Sequence, residues 1–127
     1  MKMLGRQDIL EAHDRTPVVV HVPEWGGDVL VWPMTGLQRD AWELAESQRR
    51  ANDVQNIRAS LVAACIGDDT GELLMSAEDI DALGRKNGAA LERIFEVALE
   101  LNRIGPRDVE DLVKNSETTL PGDSISA

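Results

Sequence analysis

Apolar positions follow two different periods along this chain. Between Pro17 and Arg50, two runs rich in β-branched residues, Val18-Val19-Val20 with Val22 and then Val29-Leu30-Val31-Trp32, enclose Pro23-Glu24-Trp25-Gly26-Gly27-Asp28. Stiff β-branched side chains suit a pleated surface, and a Gly-Gly pair accepts the positive φ of a tight turn, so the pattern predicts a β-hairpin over residues 17–33. With Gly26 and Gly27 as the turn, Val22 faces Val31 and His21 faces Trp32. Val20, Val22, Val29 and Val31 then share one apolar face, and Val19, His21, Leu30 and Trp32 the other. An isolated hairpin is marginal in water, so both faces need cover from helices or from another chain.

The period then becomes helical. Thr35-Gly36-Leu37-Gln38 fits a capping box, followed by an inward face of Leu37, Ala41, Leu44 and Ala45 beside Trp42, with Arg39, Asp40, Glu43 and Glu46 outward. After a polar break at Arg49-Arg50-Ala51-Asn52-Asp53, a helix from about Asn52 to Ile66 carries Val54, Ile57, Leu61, Ala64 and Cys65 in a stripe. Gly67-Asp68-Asp69-Thr70-Gly71 reads as a turn, and it lacks the spaced carboxylates of a calcium loop. Ser76 starts a short helix with Ile80 and Leu83, which Gly84 ends. Asn87 caps the longest apolar helix, Gly88 to Ile104, where Leu91, Ile94, Phe95, Ala98 and Leu101 form one face. Ala90, Val97 and Ile104 widen that face, and Leu99 lies at its edge. Pro106 to Lys114 is a last helix with Val109, Leu112 and Val113 inward and Asn115 at its end. Upstream of the hairpin, Asp8 to Asp14 forms a short helix with Ile9, Leu10 and His13 toward the body. The reading is a mostly helical α+β domain over 1–115, the hairpin packed with about five helices (35–115), and a disordered tail over 116–127.

The order of these elements and their joints, Val22-Pro23-Glu24-Trp25-Gly26-Gly27-Asp28-Val29 and then Met34-Thr35-Gly36-Leu37-Gln38-Arg39-Asp40, resembles the tail assembly chaperones of long-tailed bacteriophages, encoded just ahead of the tape measure protein. The likeness continues through Asn56-Ile57-Arg58-Ala59, Ala82-Leu83-Gly84 and Leu101-Asn102 to Val113-Lys114-Asn115-Ser116, nearly the whole chain. Trp32 stands where a basic residue is common in the family, and Asn87 where Ser is common. The resemblance implies a non-enzymatic chaperone that coats the tape measure protein and brings tail tube subunits to it in the cytoplasm of the bacterial host, before release rather than incorporation into the virion. It also implies a longer frameshifted form in which the tail is replaced by a tube-recruiting domain.

Composition narrows the alternatives. The 127 residues carry a net charge of −10, from 23 acidic and 13 basic side chains, which argues against nucleic acid as the main partner. A DNA-mimic reading and a structural virion component, such as a small head–tail connector or tube-associated protein, are the alternatives from other classes. No segment has the length and apolarity of a signal peptide or a bilayer span, so no membrane is expected. The single cysteine, Cys65, reads as a small buried hydrophobe. Two histidines without a spaced nucleophile or ligand set give no catalytic, cofactor or metal site. Partner contact is placed instead on apolar surface. Trp25 at the hairpin tip is either folded back or an exposed anchor, Trp32 and Trp42 follow it in sequence, and Val97, Leu99 and Ile104 mark a flank of the longest helix open to a client helix. The two-faced hairpin also suits self-association.

Overall fold

The structure, a computed structural model, describes residues 1–48 and 56–117. The polar break and Val54 at the start of the second long helix lie outside the described residues, as do positions 118–127 of the tail and the Val113 side chain. In chain order the elements are α1 (Arg6–Glu11), β1 (Val18–Val22), β2 (Gly27–Val31), α2 (Gly36–Ser47), α3 (Ile57–Cys65), β3 (Ile66–Gly67), α4 (Ile80–Gly84), α5 (Gly88–Leu101) and α6 (Pro106–Glu117). Single 3₁₀ turns at Pro23–Trp25 and Ala77–Asp79 complete them. This is the mostly helical α+β arrangement that the patterning predicts.

The hairpin forms, but in another register. Val22 pairs with Gly27, Val20 with Val29 and Val18 with Val31, so His21 faces Asp28 and not Trp32. Pro23 cannot donate to the ladder and starts a 3₁₀ turn. Gly26 closes it at φ 77°, its N–H donating to the Pro23 carbonyl at 3.1 Å. The loop is therefore longer than a Gly-Gly turn. Because the register moves by an even number of residues, the predicted face survives: Val20, Val22 and Val31 are buried and Val29 packs against them.

The helix expected to run to Ile66 stops at Cys65. Ile66 and Gly67 pair instead with Val31 and Leu30 as a third strand, giving an antiparallel sheet in the order β1-β2-β3. The open side of β2 supplies the reason. Its continuation offers the Trp32 N–H to the Cys65 carbonyl at 2.8 Å, and Ile66 accepts from the Leu74 N–H at 3.1 Å. The helix thus gives way to strand where sheet hydrogen bonds are available. α3 is buried on almost every side, at Ala59, Ser60, Leu61, Val62, Ala63 and Cys65, and packs between α5, α4 and α2. Burial pushes the Cys65 thiol up to about 12.

The predicted caps hold the joints. Thr35 Oγ1 accepts from the Gln38 N–H at 3.0 Å while Gln38 Oε1 accepts from the Thr35 N–H at 2.9 Å, and Asn87 Oδ1 accepts from Ala90 at 3.0 Å. α5 ends earlier than expected. Arg103, at φ 53°, makes a left-handed stop in which Arg103 N–H donates to Glu100 and Ile104 N–H to Leu99, leaving Ile104 buried beyond the helix. An arginine in this conformation costs about 1 kcal/mol that glycine avoids, and its side chain is exposed, so Arg103→Gly should stabilise the fold by about that amount in urea unfolding. α6 runs past Asn115 to Glu117, two residues into the stretch predicted as tail.

α1 also departs from expectation. Ile9, Leu10 and His13 do not face the body; no residue of α1 is buried, and Ile9 and Leu10 are exposed. Six residues, capped where Asp8 Oδ2 accepts from the Gly5 N–H at 3.0 Å, have too little apolar surface to form a packed layer.

Candidate docking groove

α2 presents the opposite face from the one its Leu–Ala stripe predicts. Leu37 and Leu44 are 82% and 58% exposed and Ala41 and Ala45 lie outward, whereas Trp42 and the supposedly outward Glu46 are buried. Two attachments set this rotation. Arg39 Nη1 donates to the Asn102 carbonyl at 3.0 Å, and Trp42 Nε1 donates to Ser60 Oγ at 2.9 Å. Ser60 Oγ in turn donates to the Glu46 carboxylate at 2.5 Å, so the carboxylate enters the interior with its hydrogen bonding provided. One indole buries more surface than either leucine, and its N–H must also find a partner, so Trp42 decides which side of α2 turns inward.

The consequence is an apolar groove of about 280 Å³ beside the exposed stripe. Its α2 wall is Gln38, Ala41, Trp42 and Ala45; its floor is Ser60, Ala63 and Ala64 of α3; its far wall runs from Leu73 and Met75 to Ala77 and Ile80. Leu74, next to that wall, is 54% exposed. The far wall is held by its own turn. Asp68 Oδ1 accepts from the Thr70 N–H and hydroxyl at 2.8 and 2.6 Å and from the Glu72 N–H at 3.1 Å, and these bonds, the Thr70 hydroxyl first, keep its carboxyl below the usual range. Among the described residues no three His, Cys, Asp or Glu side chains gather as a metal site would require, and no helix is long and apolar enough to cross a membrane.

The six residues singled out from sequence do not converge. Trp42 lines the groove and, with Ile104, a second cavity of about 190 Å³ between α2 and α6, lined also by Arg39, Glu43, Asp108, Asp111 and Leu112. Val97 and Leu99 are half-buried against the core. Trp32 is half-buried too, its indole N–H satisfied by the Asp68 carbonyl at 2.9 Å and its ring under the Arg15 guanidinium, 5.4 Å from the centroid. Trp25 is folded back onto the core, and the hairpin tip is tied to α5 by Arg93, whose Nη1 and Nη2 donate to the two oxygens of Glu24 at 2.8 and 2.9 Å.

That paired bond is what takes the Glu24 carboxyl from its ordinary 4.5 down to about 2. The folded state therefore holds this proton more weakly than the unfolded chain. Its stabilising effect is complete above pH 4.5 and disappears as pH falls toward about 2. Unfolding midpoints measured across that window should fall more steeply for the native chain than for Glu24→Gln.

The groove residues other than Trp42 are missed by the sequence reading. A usable signal was present: α2 carries both Trp42 and the Leu37-Ala41-Leu44-Ala45 stripe, more apolar circumference than one buried face needs.

The architecture is thus a helical α+β domain, with a short antiparallel sheet on one side and an apolar groove between α2, α3 and the 73–80 segment. The same fold is found in the solved structure of the tail assembly chaperone of bacteriophage HK97, at TM-score 0.52 and 18% identity, with 75% of this chain and 94% of that one covered. No family model matches this sequence, and no curated protein matches it.

Proposed function

We propose that this chain is a tail assembly chaperone of a long-tailed bacteriophage or prophage, and that it binds the tape measure protein through the exposed face of α2 and the adjoining groove. The observation that carries the reading is the outward stripe Leu37-Ala41-Leu44-Ala45 over an alanine floor, on a fold shared with a protein of that class. Tape measure proteins, as the sequence resemblance implies, are long, helical and prone to aggregate. A receptor for such a client needs a shallow apolar trough for one helix face and a surface that stays in solution. The net charge of −10 supplies the second property, since many bound copies would repel one another and keep the coated client apart from its neighbours.

Recruitment of tail tube subunits belongs, in this reading, to a longer frameshifted product. The work is done in the host cytoplasm, the chaperone leaves before the virion is complete, and no catalytic step is involved. The test is co-expression with the long helical protein encoded just downstream, read by the soluble fraction of that protein and by its co-purification. Support is a soluble complex. A client that stays insoluble beside a folded chaperone, together with recovery of this chain from purified virions, would replace the reading with that of a structural component.

A further inference from the structure

We infer that the segment ahead of β1 is a tethered lid: α1 and the residues before it fold onto the groove of the same copy and must be displaced before a partner helix enters. Gating of this kind rests on the docking role proposed above; the covering itself does not. Outside β1, the exposed large apolar side chains of the described residues fall into two sets. One belongs to the segment, where Met3, Leu4, Ile9 and Leu10 are 58–82% exposed; the other is Leu37, Leu44, Leu73 and Leu74 around the groove. Each set is the cover that the other lacks.

Tether and charge single out this segment as the occupant. Arg15 pins its far end: Nε donates to the Pro33 carbonyl at 2.9 Å, the guanidinium lies over the Trp32 ring, and a Cβ built on Gly71 would come 3.7 Å from Nη1. The hinge therefore sits two residues from Leu73, where the far wall of the groove begins. Arg15 Nη2 is buried with no partner among the described residues, so the junction keeps a donor for a linker carbonyl on closure. Upstream of the pin, the hydrogen bonds of residues 1–12 all stay inside the segment, so no bond to the body opposes its rotation. Three extended linker residues and a six-residue helix reach about 19 Å, and the α2 wall from Gln38 to Ala45 is only about 11 Å long. Charge agrees. Lys2 and Arg6 precede the first acid of the segment, Asp8, whereas the groove walls and their flanks carry Asp40, Glu72, Glu78 and Asp81, all exposed and, among the described residues, outside any ion pair.

Two measurements on the full chain, with no client present, test it. A tether this short gives an effective concentration on the order of 1 mM, so a lid contact with a Kd of about 0.5 mM leaves the groove free about one-third of the time. Ile9→Asp with Leu10→Asp is therefore expected to raise the affinity of the groove for an apolar fluorescent dye about threefold, and Ala45→Glu to cancel the gain. The sign is diagnostic, because removing two exposed apolar side chains from a segment that covers nothing can only lower dye binding. Neither side chain is buried, so folding does not depend on them. In a chain carrying Leu10→Cys and Ala41→Cys, oxidation is expected to join the two positions within one copy, about threefold more slowly once Ile9→Asp is added. The buried Cys65 thiol, pushed up to about 12, takes no part. When isotope-labelled and unlabelled chains are mixed, both halves of each linked peptide should carry the same label. Dye binding unchanged or lowered, oxidation indifferent to Ile9→Asp, or mixed-label peptides would overturn the inference, the last by giving the groove to the segment of another copy. A failed lid leaves the proposed function standing, and a failed client test leaves the lid standing.

Discussion

Trp42→Ala is expected to cost about 3–5 kcal/mol, the largest loss of folding stability from any single side chain of α2. Trp42 is buried and walls off two cavities, the groove of about 280 Å³ and the space of about 190 Å³ beneath α6, so its removal joins them. It also withdraws the N–H that Ser60 accepts, in the chain of bonds leading to buried Glu46. Trp42→Phe separates these contributions. Most of the ring area remains and Ser60 can still donate to Glu46, so the loss should be nearer 1 kcal/mol, the usual value of one hydrogen bond. Urea unfolding checks both, with unchanged slopes showing that the midpoint shift reports stability. Because a domain of this size holds only about 5–15 kcal/mol in total, the alanine variant should be folded at low temperature and largely unfolded on mild warming. Equal losses for the two variants would mean that the bond to Ser60, and not the filled volume, orients α2.

The second large effect is on the client that the proposed function assigns to the groove. Ala45→Glu is expected to leave stability nearly unchanged, because Ala45 is exposed and glutamate is a good helix former. In the complex that carboxylate would be enclosed beside an apolar helix with no partner, at a cost of about 3 kcal/mol, or roughly a hundredfold in affinity. The soluble fraction of the co-expressed client should fall accordingly, and Ala45→Ser should restore most of it. Equal solubility with the glutamate and serine variants would remove the groove from the binding surface.

How far the fold is legible depends on whether each signal is local. The Thr35–Gln38 box and the Asn87 cap involve residues three apart and appear as read. The hairpin register does not, because Pro23 competes with Gly26-Gly27 for the turn; the parity of the strand faces survives, since alternation alone fixes it. β3 is invisible in the sequence because two residues pair only when β2 presents an unpaired side to them. The rotation of α2 fails for a related reason. Leu37 and Leu44 outweigh one Trp in a count of apolar positions, but the bonds to Ser60 and Asn102 are made across 18 and 63 residues of sequence.

The short motifs behind the family resemblance prove to be joints of the fold. Asn56 donates to the Ile80 carbonyl at 3.2 Å and lies against Gly84, where an added Cβ would come within 2.2 Å of its side chain; the Asn56-Ile57 and Leu83-Gly84 motifs therefore meet in space. Asn102 accepts from the Met34 N–H at 2.8 Å through its side chain and from Arg39 through its carbonyl, and its amide donates to Ala98 at 2.8 Å. It thereby fastens the end of α5 to the entry of α2. These residues locate the architecture and not a partner surface, so the resemblance bears on the fold, while the six predicted contact residues lie apart from one another.

A trough floored with alanine also constrains what a partner must look like. Ala41, Ala45, Ala63, Ala64 and Ala77 offer depth without shape, since none has a side chain long enough to reward one apolar residue over another of similar bulk. A helix docking there would be recognised by the spacing of its large apolar positions, so Leu, Ile, Met and Phe could replace one another along it at little cost. A helical partner and this groove could then drift in sequence independently while still fitting, and one short groove could serve successive turns of a long helix.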